Sequence, residues 1–263
     1  MGTEALAITY VGGPTAVLEL AGFRLVVDPT FDAPGEYPIG VRQLTKLAGP
    51  GLSPDAIGPV DAVLLSHDQH PDNLDHAGRE YLATVPLVLS TGSAAERLCA
   101  AGTASVTALP NWTATELVDV HGGTAVRVTG VPAQHGPDGS EALVGEVTGF
   151  VLAGDGLPTV YISGDNASLR VVREIAERTG PVDVAVLFAG AAQTPLVGDA
   201  YLTLTSEQAA EAAEILGAGQ VVPVHFEGWA HFTEGADTLR EAFRRRGLGD
   251  RLHLLLPGQR VSL

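Results

Sequence analysis

Residues 66–75 read Ser66-His67-Asp68-Gln69-His70-Pro71-Asp72-Asn73-Leu74-Asp75, so two imidazoles and three carboxylates fall within ten residues. Neutral imidazole nitrogen and carboxylate oxygen are donors that Zn2+ and similar transition metals accept. Three other clusters carry the same donor types: Pro132-Ala133-Gln134-His135, Ser163-Gly164-Asp165-Asn166 and Val222-Pro223-Val224-His225. A single histidine of this kind is most often structural or at the surface. Four clusters in one chain shift the balance toward one shared site. A further segment, His225-Phe226-Glu227-Gly228-Trp229-Ala230-His231-Phe232, packs two histidines, a glutamate and a tryptophan into eight residues. It offers Glu227, Trp229 and His231 as substrate contacts on a pocket rim. Its plainer reading makes Trp229 and Phe232 core and His231 a structural hydrogen-bonder.

Each of the four clusters lies just beyond a short apolar run, the first beyond Ala62-Val63-Leu64-Leu65. Runs of this length, rich in β-branched residues, read as buried strands. Strand ends in α/β sheets are rigid yet open to solvent, which suits them to position polar side chains. The remaining pattern is consistent with such a sheet. Strands are expected at Leu6 to Tyr10, Ala16 to Leu20 and Phe23 to Val27, then a long Pro/Gly-rich loop over 29–58, of the kind that is functional or mobile. After the 62–66 strand come a short helix near Gly78 to Ala83, strand Pro86 to Leu89, helix Ala94 to Ala101 and strand Ser105 to Leu109. A meander follows over Thr115 to Val131, turning at His121-Gly122-Gly123, and then strands Leu143 to Leu152 and Thr159 to Ser163. The last hundred or so residues alternate helix and strand: helices Leu169 to Arg178, Ser206 to Leu216 and Ala236 to Arg246, with strands Val182 to Phe188, Gln220 to Val224 and Leu252 to Leu256. Thr205-Ser206-Glu207-Gln208 has the form of a capping box. The two halves share a plan, strands first and βαβ units after, and predict a layered α/β sandwich in a single domain, 1–263.

Composition narrows the function classes. The chain has 263 residues, 45% hydrophobic and 17% charged, enough to build a large core. Aromatics are only 5%, so that core is mostly Val, Leu and Ala. A formal charge of −16 repels phosphate backbones and anionic membrane surfaces, so no nucleic-acid or membrane partner is expected, and a small-molecule substrate is. A homo-oligomer is left open. Cys99 is the only cysteine, which fits a reducing cytoplasm and carries no catalytic expectation. The first residues lack a basic segment followed by a long apolar one, so no signal peptide is read there. One lysine, Lys46, among 15 basic residues, with abundant Ala and Gly, suggests a bacterial genome of high GC content. His76, His121 and His253 are assigned no role.

Taken together, these motifs resemble the metallo-β-lactamase-fold hydrolase superfamily, and more narrowly its lactonase-like branch, related to ascorbate-6-phosphate lactonases. The resemblance covers nearly the whole chain. Tyr10-Val11-Gly12-Gly13-Pro14-Thr15 with Val26-Val27-Asp28-Pro29 is similar to the family's opening strands. Residues 66–75 stand where the family has its His-x-His-x-Asp-His motif. His135, Asp165 and His225 stand at the positions of the third histidine, the bridging aspartate and the last histidine. The resemblance implies a four-layer αβ/βα sandwich with one or two metal ions at one edge, zinc first and Mn2+, Ni2+ or Fe2+ as alternatives. The implied ligands are His67, His70, Asp72, His135, Asp165 and His225, with Asp72 also the catalytic group that orients water. The implied reaction is attack by a metal-bound hydroxide on a small ester, lactone, amide or phosphoester.

The chain departs from the family pattern in three places. His67 and His70 are separated by two residues, Asn73 replaces the motif's last histidine, and Gly13-Pro14 stands where Gly-His is frequent. One register inserts a residue and keeps His67, His70 and Asp72 as ligands. The other aligns backwards from Asp72, making Asp68 and His70 ligands and moving His67 off the metal. Asn73 is a poor ligand beside imidazole, which opens a mononuclear or weakly dinuclear centre as one option beside a full pair of ions. A degenerate, non-hydrolytic binder of a ligand or partner is the competing reading. A nuclease of the same superfamily is disfavoured by the charge.

Overall fold

The computed structural model describes residues 6–39, 42–103, 105–118 and 124–263. Its first sheet begins with an antiparallel meander, β1 (Leu6–Gly12), β2 (Thr15–Leu20) and β3 (Phe23–Val27). A two-stranded hairpin follows, β4 (Gly35–Ile39) and β5 (Arg42–Lys46), then the short helix α1 (Pro54–Ile57). The chain returns to the sheet as β6 (Ala62–Leu64), crosses through α2 (His76–Leu82) to β7 (Val88–Ser90), and through α3 (Gly92–Ala100) to β8 (Val106–Ala108). The second sheet is built from β9 (Ala114–Leu117), β10 (Val126–Pro132), β11 (Thr148–Ala153) after α4 (Glu141–Val144), β12 (Val160–Ile162), β13 (Val184–Phe188) and β14 (Gln220–Val224). Helices α5 (Leu169–Thr179), α6 (Ser206–Ile215) and α7 (Ala236–Arg245) complete this half, and β15 (Arg260–Ser262) returns to the first sheet beside β1.

The sheet orders are β15-β1-β2-β3-β6-β7-β8 and β14-β13-β12-β11-β10-β9. Side chains alternate across a strand, and here both faces of the first sheet are buried. Leu6, Ile8, Leu18, Leu25 and Leu64 face the second sheet, where Val128, Phe150, Leu152 and Tyr161 meet them. Val17, Val26, Val63 and Leu65 face the opposite way, against Leu82 of α2 and Leu98 of α3. Helices α5, α6 and α7 cover the far side of the second sheet through residues such as Val172, Ala209 and Phe243. The result is the four-layer αβ/βα sandwich. The capping box at Thr205 is formed: Gln208 N donates to Thr205 Oγ1 and Thr205 N donates to Gln208 Oε1.

Several expected elements are revised. The 29–58 loop contains the β4–β5 hairpin and α1. The continuous strand expected over Leu143 to Leu152 is a helix, a break and a strand. Gly145 sits at φ +88°, and a Cβ there would run into the Gln69 side chain, so the chain turns at that point. Leu252 to Leu256 makes only one bridge, Leu252 to Val221, and the last strand is β15. The turn expected at His121-Gly122-Gly123 lies outside the described residues. Among the described residues no helix is long and apolar enough to cross a membrane.

Candidate metal centre

Strands β3 and β6 are parallel neighbours that end side by side at Val27 and Leu64, just before Asp28 and Ser66. Asp28 is buried, with φ +36°, and its carboxylate accepts from Ser66 N (2.6 Å), Ser66 Oγ (2.6 Å) and Asn73 Nδ2 (3.0 Å). This pins both ends of the 66–73 segment to one carboxylate. Ser66 Oγ also lies 2.9 Å from His67 Nδ1, which turns His67 Nε2 inward, 3.0 Å from His70 Nδ1. Asp68 points the other way. Its buried carboxylate is paired with Arg97, and its backbone carbonyl accepts from Arg79. The residue added between the two histidines is therefore turned into an arginine clamp, and the imidazoles on either side face each other. At the far end Asp75 caps α2 through Gly78 N and forms a buried ion pair with Lys46 Nζ at 2.7 Å, tying β5 to the motif loop.

The second sheet supplies the rest. His135 follows β10, and its Nδ1–H is aimed at the Leu202 carbonyl at 2.9 Å, leaving Nε2 free. Asp165 follows β12 through Gly164, whose φ is +56° and whose Cβ would lie 2.5 Å from the Thr148 carbonyl, so glycine is required at that turn. His225 ends β14 in the left-handed region, φ +55°, and its backbone N–H donates to Gly13 O at 2.6 Å. That contact joins the last histidine to the β1–β2 turn. His225 Nε2 lies 3.4 Å from both Asp72 Oδ2 and Asp165 Oδ1. Asp165 Oδ2 in turn lies 3.6 Å from His135 and 4.0 Å from His67.

Six of the expected ligands thus converge as two adjoining groups, His67–His70–His135 and Asp72–Asp165–His225. The donor set suits a transition metal, and the orphaned atoms are a direct sign of fit. His135 Nε2 and Asp72 Oδ1 are buried with no hydrogen-bond partner, a costly state that a cation would relieve. The protonation states of His67, His70, Asp72 and Asp165 agree, whereas His225 must give up a proton to serve as a ligand. Burial, with the nearby His135, pushes His70 down to about 4, and burial holds His67 well below its ordinary value, so both offer lone pairs at neutral pH. Burial opposes ionisation of Asp72, yet His231 and His225 hold its carboxyl well below the usual range. Burial likewise opposes ionisation of Asp165, while His225 and His135 hold it low. Burial would lower His225, but Asp165 and Asp72 together raise it to about 10.

The remaining expected site residues separate. His231 lies at the centre, its Nε2 3.0 Å from Asp72 Oδ2. It lines a small cavity of about 30 Å3 with His70, Asp72, His135, Ile39, Arg42 and Leu202. Glu227 and Trp229 do not reach that cavity. They border a separate cleft with Gly13, Thr30, Lys46 and Pro257, and Trp229 is packed between Lys46 and Tyr37. They line the wall of that second cleft, and the Trp229 ring meets the edge of the His231 ring, 6.3 Å between centroids, so the two clefts share a partition. Sequence reasoning missed Arg42, whose Nη1 donates to Thr194 Oγ1 at 2.7 Å across the cavity mouth, and the Asp28–Ser66 support. An arginine in a Pro/Gly-rich loop gave no periodic signal. Asp28-Pro29 was visible, but only as the end of a strand.

Comparison with known proteins agrees with this fold. The family profile described as "Beta-lactamase superfamily domain" matches residues 23–226. A UPF0173 metal-dependent hydrolase of Methanosphaerula palustris is 30% identical over 195 residues, covering 70% of this chain and 77% of that one. One from Rubrobacter xylanophilus is 27% identical over 275 residues, covering 97% and 96%. Among solved structures, an isothiocyanate hydrolase from Delia radicum gut bacteria superposes with a TM-score of 0.82 at 22% identity, over 97% of this chain and 98% of that one. The chain therefore belongs to the beta-lactamase superfamily domain family, and within it to the UPF0173 metal-dependent hydrolases.

Proposed function

We propose that this metal-dependent hydrolase cleaves a small ester, lactone, amide or phosphoester that carries an anionic group, with zinc as its first-choice metal. The observation that carries the reading is the convergence of six donors, five of them buried and His70 half-buried, with His135 Nε2 and Asp72 Oδ1 unpartnered. His67, His70 and His135 would hold one ion, and Asp72, Asp165 and His225 border the adjoining position. A cation bound there would polarise the substrate oxygen and lower the pKa of water towards neutrality. The protein's own groups do the rest. Asp72, with one oxygen uncommitted, is placed to orient water. Asp28 and Asn73 fix Asp165 and the motif loop. Ile39, Leu44, Val144 and Leu202 line the cavity and exclude bulk solvent.

Arg42 supports the anionic substrate. It lines the same cavity and makes no ion pair among the described residues, although acids outnumber bases in this chain, 31 to 15. A guanidinium left without a carboxylate is available for a carboxylate or phosphate of the substrate. The lactonase-like reading falls within this class.

The test is metal analysis of the purified protein, followed by turnover of lactones, carboxylate-bearing esters, phosphodiesters and a neutral isothiocyanate. At least one ion per chain is expected, with hydrolysis reduced more than 1,000-fold (~4 kcal/mol) in His135→Ala. Arg42→Met should raise KM about tenfold or more for anionic esters and leave neutral substrates unchanged. A protein that takes up no metal under any loading condition, or loaded protein inert to the whole panel, would count against the reading.

A further inference from the structure

We propose that His231 takes the place of the motif's missing histidine and completes a second metal position with Asp72, Asp165 and His225, so that the centre is dinuclear despite Asn73. The inference rests on the reading that the cluster binds metal.

Asn73 is already committed. Its Nδ2 donates to Asp28 Oδ2 at 3.0 Å and to Asp165 Oδ1 at 3.2 Å, so the residue standing at the histidine position ties two carboxylates together. The second group then has three donors, one fewer than a tetrahedral zinc site that is closed by protein. His231 arrives from the loop after β14. Its Nε2 lies 3.0 Å from Asp72 Oδ2, the same oxygen that His225 Nε2 approaches at 3.4 Å. Nitrogen and oxygen ligands that each lie about 2.0–2.1 Å from one tetrahedral ion stand about 3.3 Å apart along its edges. The separations are 3.0 Å for His231–Asp72, 3.4 Å for His225–Asp72 and 3.4 Å for His225–Asp165. His231 stands outside the group whose donors all lie within 4.8 Å of one another, so its ring reaches the position through Asp72 and must swing towards Asp165 and His225 to close it.

The backbone holds His231 there. Gln193 N donates to His231 O at 3.1 Å, and the next residue, Phe232, bridges to Ala192. The Phe232 ring lies 4.5 Å from the imidazole, centroid to centroid. His231 Nδ1 is buried without a partner, so among the described residues Asp72 is the ring's only polar contact. The plainer alternative is that His231 only donates a hydrogen bond to Asp72.

Glutamine separates the two roles, because its amide N–H preserves such a hydrogen bond while serving poorly as a ligand. Zinc would be counted per chain by mass spectrometry, and each Kd measured by competition with a chromophoric chelator, in wild type, His231→Ala and His231→Gln. Wild type is expected to hold two ions. Both variants should keep the first and lose at least 100-fold in affinity for the second, beyond the roughly 10–100-fold that an outer hydrogen-bonding partner costs. The retained first ion also reports that each variant is folded. A smaller loss in His231→Gln, or a single ion in saturated wild type, overturns the inference while leaving the hydrolase reading intact. No ion in wild type would overturn both.

Discussion

Asp68 shows how one residue can be accommodated inside a ligand motif. The sequence left two registers open, because nothing in the spacing said which of His67 and Asp68 would face inward. What settles the geometry is the pair Arg79 on α2 and Arg97 on α3, which receive Asp68 from outside. Both arginines are eleven or more residues away in the chain, so the signal was present but not local. Arg97→Met should therefore loosen the motif loop. About 1–2 kcal/mol of stability is expected to go, since Arg97 is itself half exposed and Arg79 remains. Metal affinity should fall about tenfold or more, as when an outer partner of a ligand is lost. Denaturant unfolding and chelator competition would measure the two; an unchanged Kd would show that the clamp does not position His67 and His70.

At the scale of elements, the strands with both faces buried were legible, because continuous apolar runs leave few alternatives. The β4–β5 hairpin was not. Of β4 only Tyr37 is buried, and Pro38 lies within the strand, so the run lacks both alternation and hydrophobicity. Its stability comes from tertiary ties such as Lys46–Asp75 and Arg42–Thr194, which no local window contains. Turns show the same limit. Ala21-Gly22 joins β2 to β3 with both φ angles positive, 52° and 88°, the geometry of a type I′ turn. Alanine is a poor occupant of the first position, where asparagine is favoured. Ala21→Asn should stabilise the protein by about 1 kcal/mol and raise Tm by about 2–4 °C, read by calorimetry. A lower Tm would mean that this turn is not strained by its alanine.

For the whole molecule, the candidate centre lies where the two halves of the chain meet. His67, His70 and Asp72 come from the first sheet, and His135, Asp165 and His225 from the second, so order along the chain foretold the convergence while the distances came only from docking the sheets. The pairing of His225 with two carboxylates has a pH signature in metal-free protein. Because its folded pKa is raised to about 10, its contribution is fully present below about pH 6.5 and is lost as pH rises through about 10. Metal-free protein should thus lose Tm between pH 6.5 and 9.5, and zinc-loaded protein much less, because a ligated His225 has already given up its proton. Equal pH slopes with and without zinc would remove His225 from the ligand set. An ion seated between the sheets would have a foothold on each half of the chain. Damage far from the site, in either sheet, would then be read first as metal released while the fold persists, which makes retained zinc a gauge of how well the two halves are joined.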